Sequence, residues 1–254
     1  LALVGESGCG KSISCMSLAR LLPSPPARIA RGEVLLTCRN GETENVLNLT
    51  PRQLRKIRGG EIAYIFQEPS VSLNPVFRIG AQIAEAIELH RPDVENVERE
   101  VADEPTTALD VTIQAQILDL LAEVRNQFGM SIILVTHNLG IVSEMADRVC
   151  VMYAGRIVET APVRELIDHP RHPYASALLA AVPKLGGAHG KLSTIPGSVP
   201  PPARFPAGCR FCDRCSLCAS LPAKEREICE TVVPEMREIS PGHFCACHRI
   251  GAER

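Results

Sequence analysis

Residues Gly5 to Ser12 read Gly-Glu-Ser-Gly-Cys-Gly-Lys-Ser, directly behind the apolar run Leu1-Ala2-Leu3-Val4. The closely spaced glycines let the backbone curl until successive N–H groups point at one spot. A helix opening at the Lys-Ser pair adds its positive end to the same spot. This is the pattern of a phosphate-binding loop set between a strand and a helix. The backbone of Gly5, Ser7, Gly8, Cys9 and Gly10 would form the cradle, Lys11 would reach the β- and γ-phosphates, and the Ser12 hydroxyl would take a place on Mg²⁺. A glycine-rich turn without a ligand has no need of Lys-Ser in that register. The loop therefore predicts a nucleoside triphosphate, and with it an α/β fold.

Length and charge narrow the rest. A chain of 254 residues allows one large domain, or a main domain with a smaller appendage. At 45% hydrophobic and 22% charged it is expected to be globular and soluble. No apolar run approaches the roughly 20 residues that span a bilayer. A net charge of −2 gives no reason to expect nucleic acid as a partner. Leu1 opens straight into a strand, with no initiator methionine and no signal-peptide layout, so the chain is expected to begin inside a longer reading frame.

Periodicity and punctuation predict the elements. A helix follows the loop from Ser12 to Leu22 and stops at Pro23-Ser24-Pro25-Pro26. A strand is expected over Glu33–Thr37 and a short basic helix from Thr50-Pro51 through Arg58. Ile62-Ala63-Tyr64-Ile65-Phe66 predicts a strongly apolar strand, and Ile79–Leu89 an amphipathic helix. Residues 91–102 are highly charged and poorly patterned. A helix then runs from Val111 to about Phe128, followed by a buried strand over Ile132–Val135 and a helix capped by Asn138. Val149–Tyr153 and Arg156–Glu159 form a hairpin turning on Ala154-Gly155. A last helix begins at Pro173, and a Pro/Gly-rich stretch leads to Gly208. The alternation argues for an α/β sandwich with a largely parallel central sheet.

Several polar residues fall where these strands end. Asp103-Glu104-Pro105 precedes Thr106-Thr107-Ala108-Leu109-Asp110. An aspartate there can hold Mg²⁺ through water, and the adjacent glutamate can orient and deprotonate an attacking water. Gln67 can sense the metal and the nucleophile, and His137 can contact the γ-phosphate. Singly, each has a plainer explanation as a loop polar group, a core histidine or a solvated acidic pair. In this order behind a phosphate loop, they form a set.

The chain resembles the ATP-binding subunit of ATP-binding cassette (ABC) transporters, in the oligopeptide/dipeptide importer branch. The resemblance rests on the loop and on Ile65-Phe66-Gln67-Glu68-Pro69, Ser72-Leu73-Asn74-Pro75 and Asp103 through Asp110. His172-Pro173-Tyr174, Ile195-Pro196-Gly197 and Gly208-Cys209-Arg210-Phe211 extend it over almost the whole chain. It implies a P-loop nucleotide-binding domain over residues 1–168 and a peptide-transporter C-terminal region over 169–254. It also implies ATP and Mg²⁺ as ligands, the metal held by Ser12, Gln67 and Asp103, with Glu104 as catalytic base. Asp110 is then the D-loop aspartate and His137 the switch histidine. The partners implied are membrane permease subunits and a second ATP-binding subunit, identical or related, at the cytoplasmic face of the membrane.

One region departs from the family. Between Gln67 and Asp103 the family carries a multi-helix subdomain and a signature loop, typically Leu-Ser-Gly-Gly, which closes on the γ-phosphate held by a partner subunit. No such sequence occurs here, and residues 81–102 have room for about one average helix of 11–12 residues. Val97-Glu98-Arg99-Glu100-Val101-Ala102 stands where an apolar strand should precede Asp103. The helical subdomain is therefore truncated, an internal deletion is the expected cause, and hydrolysis is not expected to survive it. A non-catalytic ATP- and iron–sulfur-binding protein with a structural or regulatory role is the alternative. A soluble ATPase outside transport fits the C-terminal motifs poorly.

Seven of the eleven cysteines crowd into residues 209–247. In a reducing compartment such density reads as metal ligation rather than disulfides. Cys209, Cys212, Cys215 and Cys218 have a local Cys-x₂-Cys rhythm close to ferredoxin runs, suited to a cluster or to zinc. The family resemblance implies a different set, Cys209, Cys215, Cys229 and Cys247, around a [4Fe–4S] cluster. Either would fasten a short tail that lacks a core of its own.

Overall fold

The computed structural model describes residues 1–65, 74, 76–90, 111–181 and 195–250. In chain order the described strands and helices begin with β1 (Ala2–Val4), α1 (Lys11–Leu18), β2 (Leu35–Thr37), β3 (Thr43–Asn45), α2 (Pro51–Gly60), α3 (Ile79–His90) and α4 (Val111–Phe128). They continue with β4 (Leu134–Val135), α5 (Leu139–Met145), β5 (Arg148–Tyr153), β6 (Arg156–Pro162), α6 (Val163–Asp168) and α7 (Pro173–Ala180). The C-terminal part adds α8 (Ser216–Ala219), α9 (Ala223–Thr231), β7 (Arg237–Ser240) and β8 (His243–Cys245). Two compact units result: residues 1–12 with 112–254, and residues 13–111.

The first unit is built on a six-stranded sheet in the order β4-β1-β5-β6-β8-β7. β1 lies parallel to both β4 and β5, with Leu3 opposite Val135 on one side and Cys150 on the other. The remaining pairings among the described residues are antiparallel, so the described sheet is mixed rather than largely parallel. The reason is that the tail supplies β8, which docks on β6, and β7, which pairs with β8, instead of forming a separate body. Flanked on both sides, β1 is buried throughout. β4 is outermost among the described strands, and Ile133 just before it and Val135 within it are 47% and 37% exposed, so the segment expected to be buried is only half covered. Ala154 and Gly155, both at positive φ, turn β5 into β6 as expected.

Tyr153 at the end of β5, Tyr174 in α7 and Phe211 in the tail are all buried. Their ring centroids lie 4.7–5.3 Å apart in tilted and edge-on pairs. Such pairs add about 0.5–1.5 kcal/mol each beyond the area they bury, and here they bind the C-terminal region onto the sheet. A polar knot reinforces that junction. The fully buried Glu159 carboxylate accepts from the Arg171 and His172 amides at 2.8 and 2.7 Å, and lies 2.7 Å from His243 Nε2. A buried carboxylate is tolerable only when its lone pairs are satisfied in this way.

The second unit carries the β2–β3 hairpin, α2 and α3. Thr50 and Gln53 form a reciprocal capping box at the start of α2, with Pro51 in the first turn. α1 ends four residues earlier than its apolar spacing predicts. Arg58 caps it by donating to the Ala19 and Arg20 carbonyls at 2.9 and 2.6 Å, and Arg20 turns at φ +53°. The strand expected over Ile62–Phe66 does not form in its described part. Ile62 makes only a bridge to Arg58, and Ile65 is 73% exposed.

Candidate nucleotide site

The phosphate-binding loop leaves the carboxyl end of β1 and enters α1 at Lys11. Gly5, Gly8 and Gly10 all sit at positive φ, at +152°, +80° and +105°. At Gly5 a β-carbon would run into the Met152 carbonyl oxygen, so the loop can pass β5 only as glycine. Cys9 is buried beneath the curl, and its carbonyl accepts from the Gly155 amide at 2.7 Å. The hairpin turn of β5 and β6 thus props up the loop. The Lys11 ammonium donates to the Gly5 and Glu6 carbonyls at 2.7 and 3.0 Å, which keeps its charge at the loop. Ser12 follows in the first turn of α1.

β4 runs parallel to β1 and in register with it, so residues 136–138 leave the sheet at the same end as the loop. His137 is exposed there, between Thr136 and the helix cap Asn138. The Asn138 side chain accepts from the Gly140 and Ile141 amides at 3.0 and 3.5 Å, as expected for the start of α5. Ligands of open α/β sheets bind at such carboxyl ends. Gln67, Asp103, Glu104 and Asp110 lie outside the described residues.

Three residues at this loop were not singled out by sequence reasoning. The Glu6 amide donates to the Tyr174 hydroxyl at 2.8 Å. Its carboxylate takes both ends of the Arg214 guanidinium, at 2.8 and 2.9 Å. The Ile195-Pro196-Gly197 carbonyls and the Tyr153 hydroxyl receive the remaining Arg214 donors, at 2.8–3.4 Å. This pairing holds the Arg214 charge well above its ordinary range, the Glu6 hydrogen bonds contributing most. Burial raises the Tyr174 phenol, so it stays protonated. The only sequence signal was that Tyr174 belongs to the His172-Pro173-Tyr174 motif of the tail.

In the tail, Cys209, Cys212, Cys215, Cys218, Cys229 and Cys247 line one small cavity. The Cys209 amide donates to the Cys229 carbonyl at 2.8 Å, and Gly208 lets the chains approach that closely. Cys212 and Cys218 pair with each other, sulfur to sulfur, at 3.1 Å. Burial pushes the Cys209 thiol up to about 11, with Cys247, Cys215 and Cys229 adding to it. Thiols crowded like this resist ionisation until a cation replaces their protons. An all-sulfur donor set is what iron–sulfur clusters take. Among the described residues, however, no three His, Cys, Asp or Glu side chains converge on a single metal-ion position. Cys245 lies on β8, outside this lining.

Comparison with known proteins bears on both regions. The family model described as ABC transporter matches residues 1–149, and that of the oligopeptide/dipeptide transporter C-terminal region matches residues 158–220. A candidate peptide import ATP-binding protein of Brucella ovis is 40% identical over 301 positions, covering 98% of this chain and 87% of the relative. A candidate peptide ABC transporter ATP-binding protein of Sinorhizobium fredii is 40% identical over 296 positions, covering 98% and 85%. Both alignments are longer than the 254 residues available here, so the relatives carry additional residues inside the shared span. A solved dimeric ATP-binding cassette in a post-hydrolysis state, bound to ADP and Pi, covers 64% of this chain and 84% of its own, at 20% identity and a TM-score of 0.47.

Proposed function

The chain belongs to the ABC transporter family of ATP-binding proteins, and from that premise we propose that it binds Mg·ATP as the nucleotide-binding component of an oligopeptide or dipeptide import system. The observation that carries this reading is the Gly5–Ser12 loop, curled at the carboxyl end of a buried strand with the Lys11 ammonium at the loop. The loop amides and Lys11 would hold the phosphates. Ser12, with Gln67 and Asp103, would hold Mg²⁺, which neutralises charge between the β- and γ-phosphates. His137 would sense the γ-phosphate, Glu104 would orient water, and Asp110 would face a second ATP-binding subunit. Permease subunits at the cytoplasmic face of the membrane would receive the motion. No described helix is long and apolar enough to cross a membrane itself.

The absent signature sequence and the charged run before Asp103 favour binding without turnover. The cysteine pocket would hold a [4Fe–4S] cluster through Cys209, Cys215, Cys229 and Cys247. The mutual pairing of Cys212 and Cys218 supports that set over the local run. Zinc is the competing occupant. Such a cluster would be structural, reinforcing the junction of α9 and the Cys209 turn that the Cys209 amide and Cys229 carbonyl already make.

Calorimetric titration with Mg·ATP tests the nucleotide reading. Wild type should bind, and Lys11→Ala should lose most of the affinity, since charge-assisted phosphate contacts contribute about 1.5–3 kcal/mol each. Equal affinity in the two proteins would overturn it.

A further inference from the structure

Glu6 is the only acidic residue within Gly5–Ser12. A carboxylate placed there opposes a polyphosphate unless it is neutralised and held to one side. Arg214 meets both needs. Its guanidinium takes the carboxylate in a two-point fork at 2.8 and 2.9 Å, and the side chain as a whole is 7% exposed. The Tyr174 hydroxyl holds the other end of the same residue through its amide. Arg214 cannot drift, because the Ile195-Pro196-Gly197 carbonyls and Tyr153 fix its other donors, while Tyr153, Tyr174 and Phe211 pack in one aromatic cluster. The turn that carries Arg214 also carries Cys212 and leads into Cys215. The cysteine pocket and the phosphate loop therefore share one support.

We propose that Arg214 and Tyr174 are positioning residues for nucleotide binding, fixing Glu6 at carboxylate and amide so that ATP affinity is set partly from the C-terminal region. The inference rests on the nucleotide reading above. It differs from a packing role in one respect: the need for Arg214 should vanish once the Glu6 charge is gone.

The test is a double-mutant cycle on the full chain, read by Mg·ATP affinity and by hydrogen exchange of the residue 6–11 amides. Arg214→Gln should weaken Mg·ATP binding roughly tenfold. That penalty, relative to wild type, should shrink as salt is raised, because repulsion from a bare carboxylate is screened. The same substitution made in a Glu6→Gln background should cost far less, so Glu6→Gln/Arg214→Gln should bind more tightly than Arg214→Gln. Exchange of the loop amides should quicken in Arg214→Gln. Should that variant fold poorly, Tyr174→Phe keeps the ring, removes the acceptor and should quicken exchange at Glu6. A double variant as weak as Arg214→Gln, or a penalty indifferent to salt, overturns the proposal. A wild type that binds no Mg·ATP overturns the nucleotide reading and the affinity claim with it. Unchanged exchange in Arg214→Gln and Tyr174→Phe overturns the tether whatever the affinities.

Discussion

Gly5 shows how narrowly the phosphate loop is specified. Its φ of +152° and the Met152 carbonyl beside it leave no room for a side chain. Gly5→Ala should cost on the order of 2–4 kcal/mol, through overlap with backbone that cannot yield. Denaturant unfolding that shows less than about 0.5 kcal/mol of loss would contradict this. The cysteines make a second test at the same scale. Anaerobically purified protein should show broad visible absorbance that Cys215→Ser or Cys247→Ser abolishes and Cys212→Ser or Cys218→Ser leaves largely intact. The reverse pattern would favour the local ferredoxin-like set, and zinc without iron or sulfide would remove both cluster readings. Individual residues of the loop were legible in the sequence because their types are dictated by the backbone they must adopt. The Arg214–Glu6 fork was not, because 208 positions separate partners that only the folded sheet brings together.

Among the elements, those with local punctuation were readable in advance. Thr50-Pro51 opened α2, Asn138 capped α5, and Ala154-Gly155 turned the hairpin. The apolar run misled over its described residues 62–65, since hydrophobicity alone does not provide a strand with a partner. β7 and β8 went unforeseen because their short, mixed sequences acquire strand geometry only by pairing, β8 with β6 and β7 with β8. α7 carries a testable pH dependence. Its cap, His172, accepts from the Tyr174 amide at 3.1 Å, and burial lowers its pKa from 6.5 to about 4. The folded state therefore favours neutral His172, while the unfolded chain takes up a proton below about 6.5. The stability it contributes is complete above that value and falls away as pH drops toward 4, by about 3 kcal/mol at the limit. His172→Asn keeps a capping side chain without the titration. Its unfolding free energy should vary less than wild type's between pH 6.5 and 4, and parallel curves would refute the assignment.

At the scale of the whole molecule, the relatives' alignments exceed this chain's length, and the sequence lacks Leu-Ser-Gly-Gly throughout. We expect no ATP turnover above background, alone or with a partner subunit. Steady phosphate release that disappears in Glu104→Gln would show that a neighbouring chain completes the site. The phosphate loop and the strand before it were readable because that motif is contiguous. Its union with the tail was not, being made of contacts that span the chain, such as β6 with β8 and Glu159 with His243. That union has a consequence for how the protein is made. Until a ribosome has released residues 243–245, β6 presents an unsatisfied row of N–H and C=O groups, and Glu159 lacks the imidazole that faces it. A product cut short before that point would expose a template for intermolecular strand pairing. Prematurely terminated chains should accordingly aggregate rather than persist as competitors for ATP.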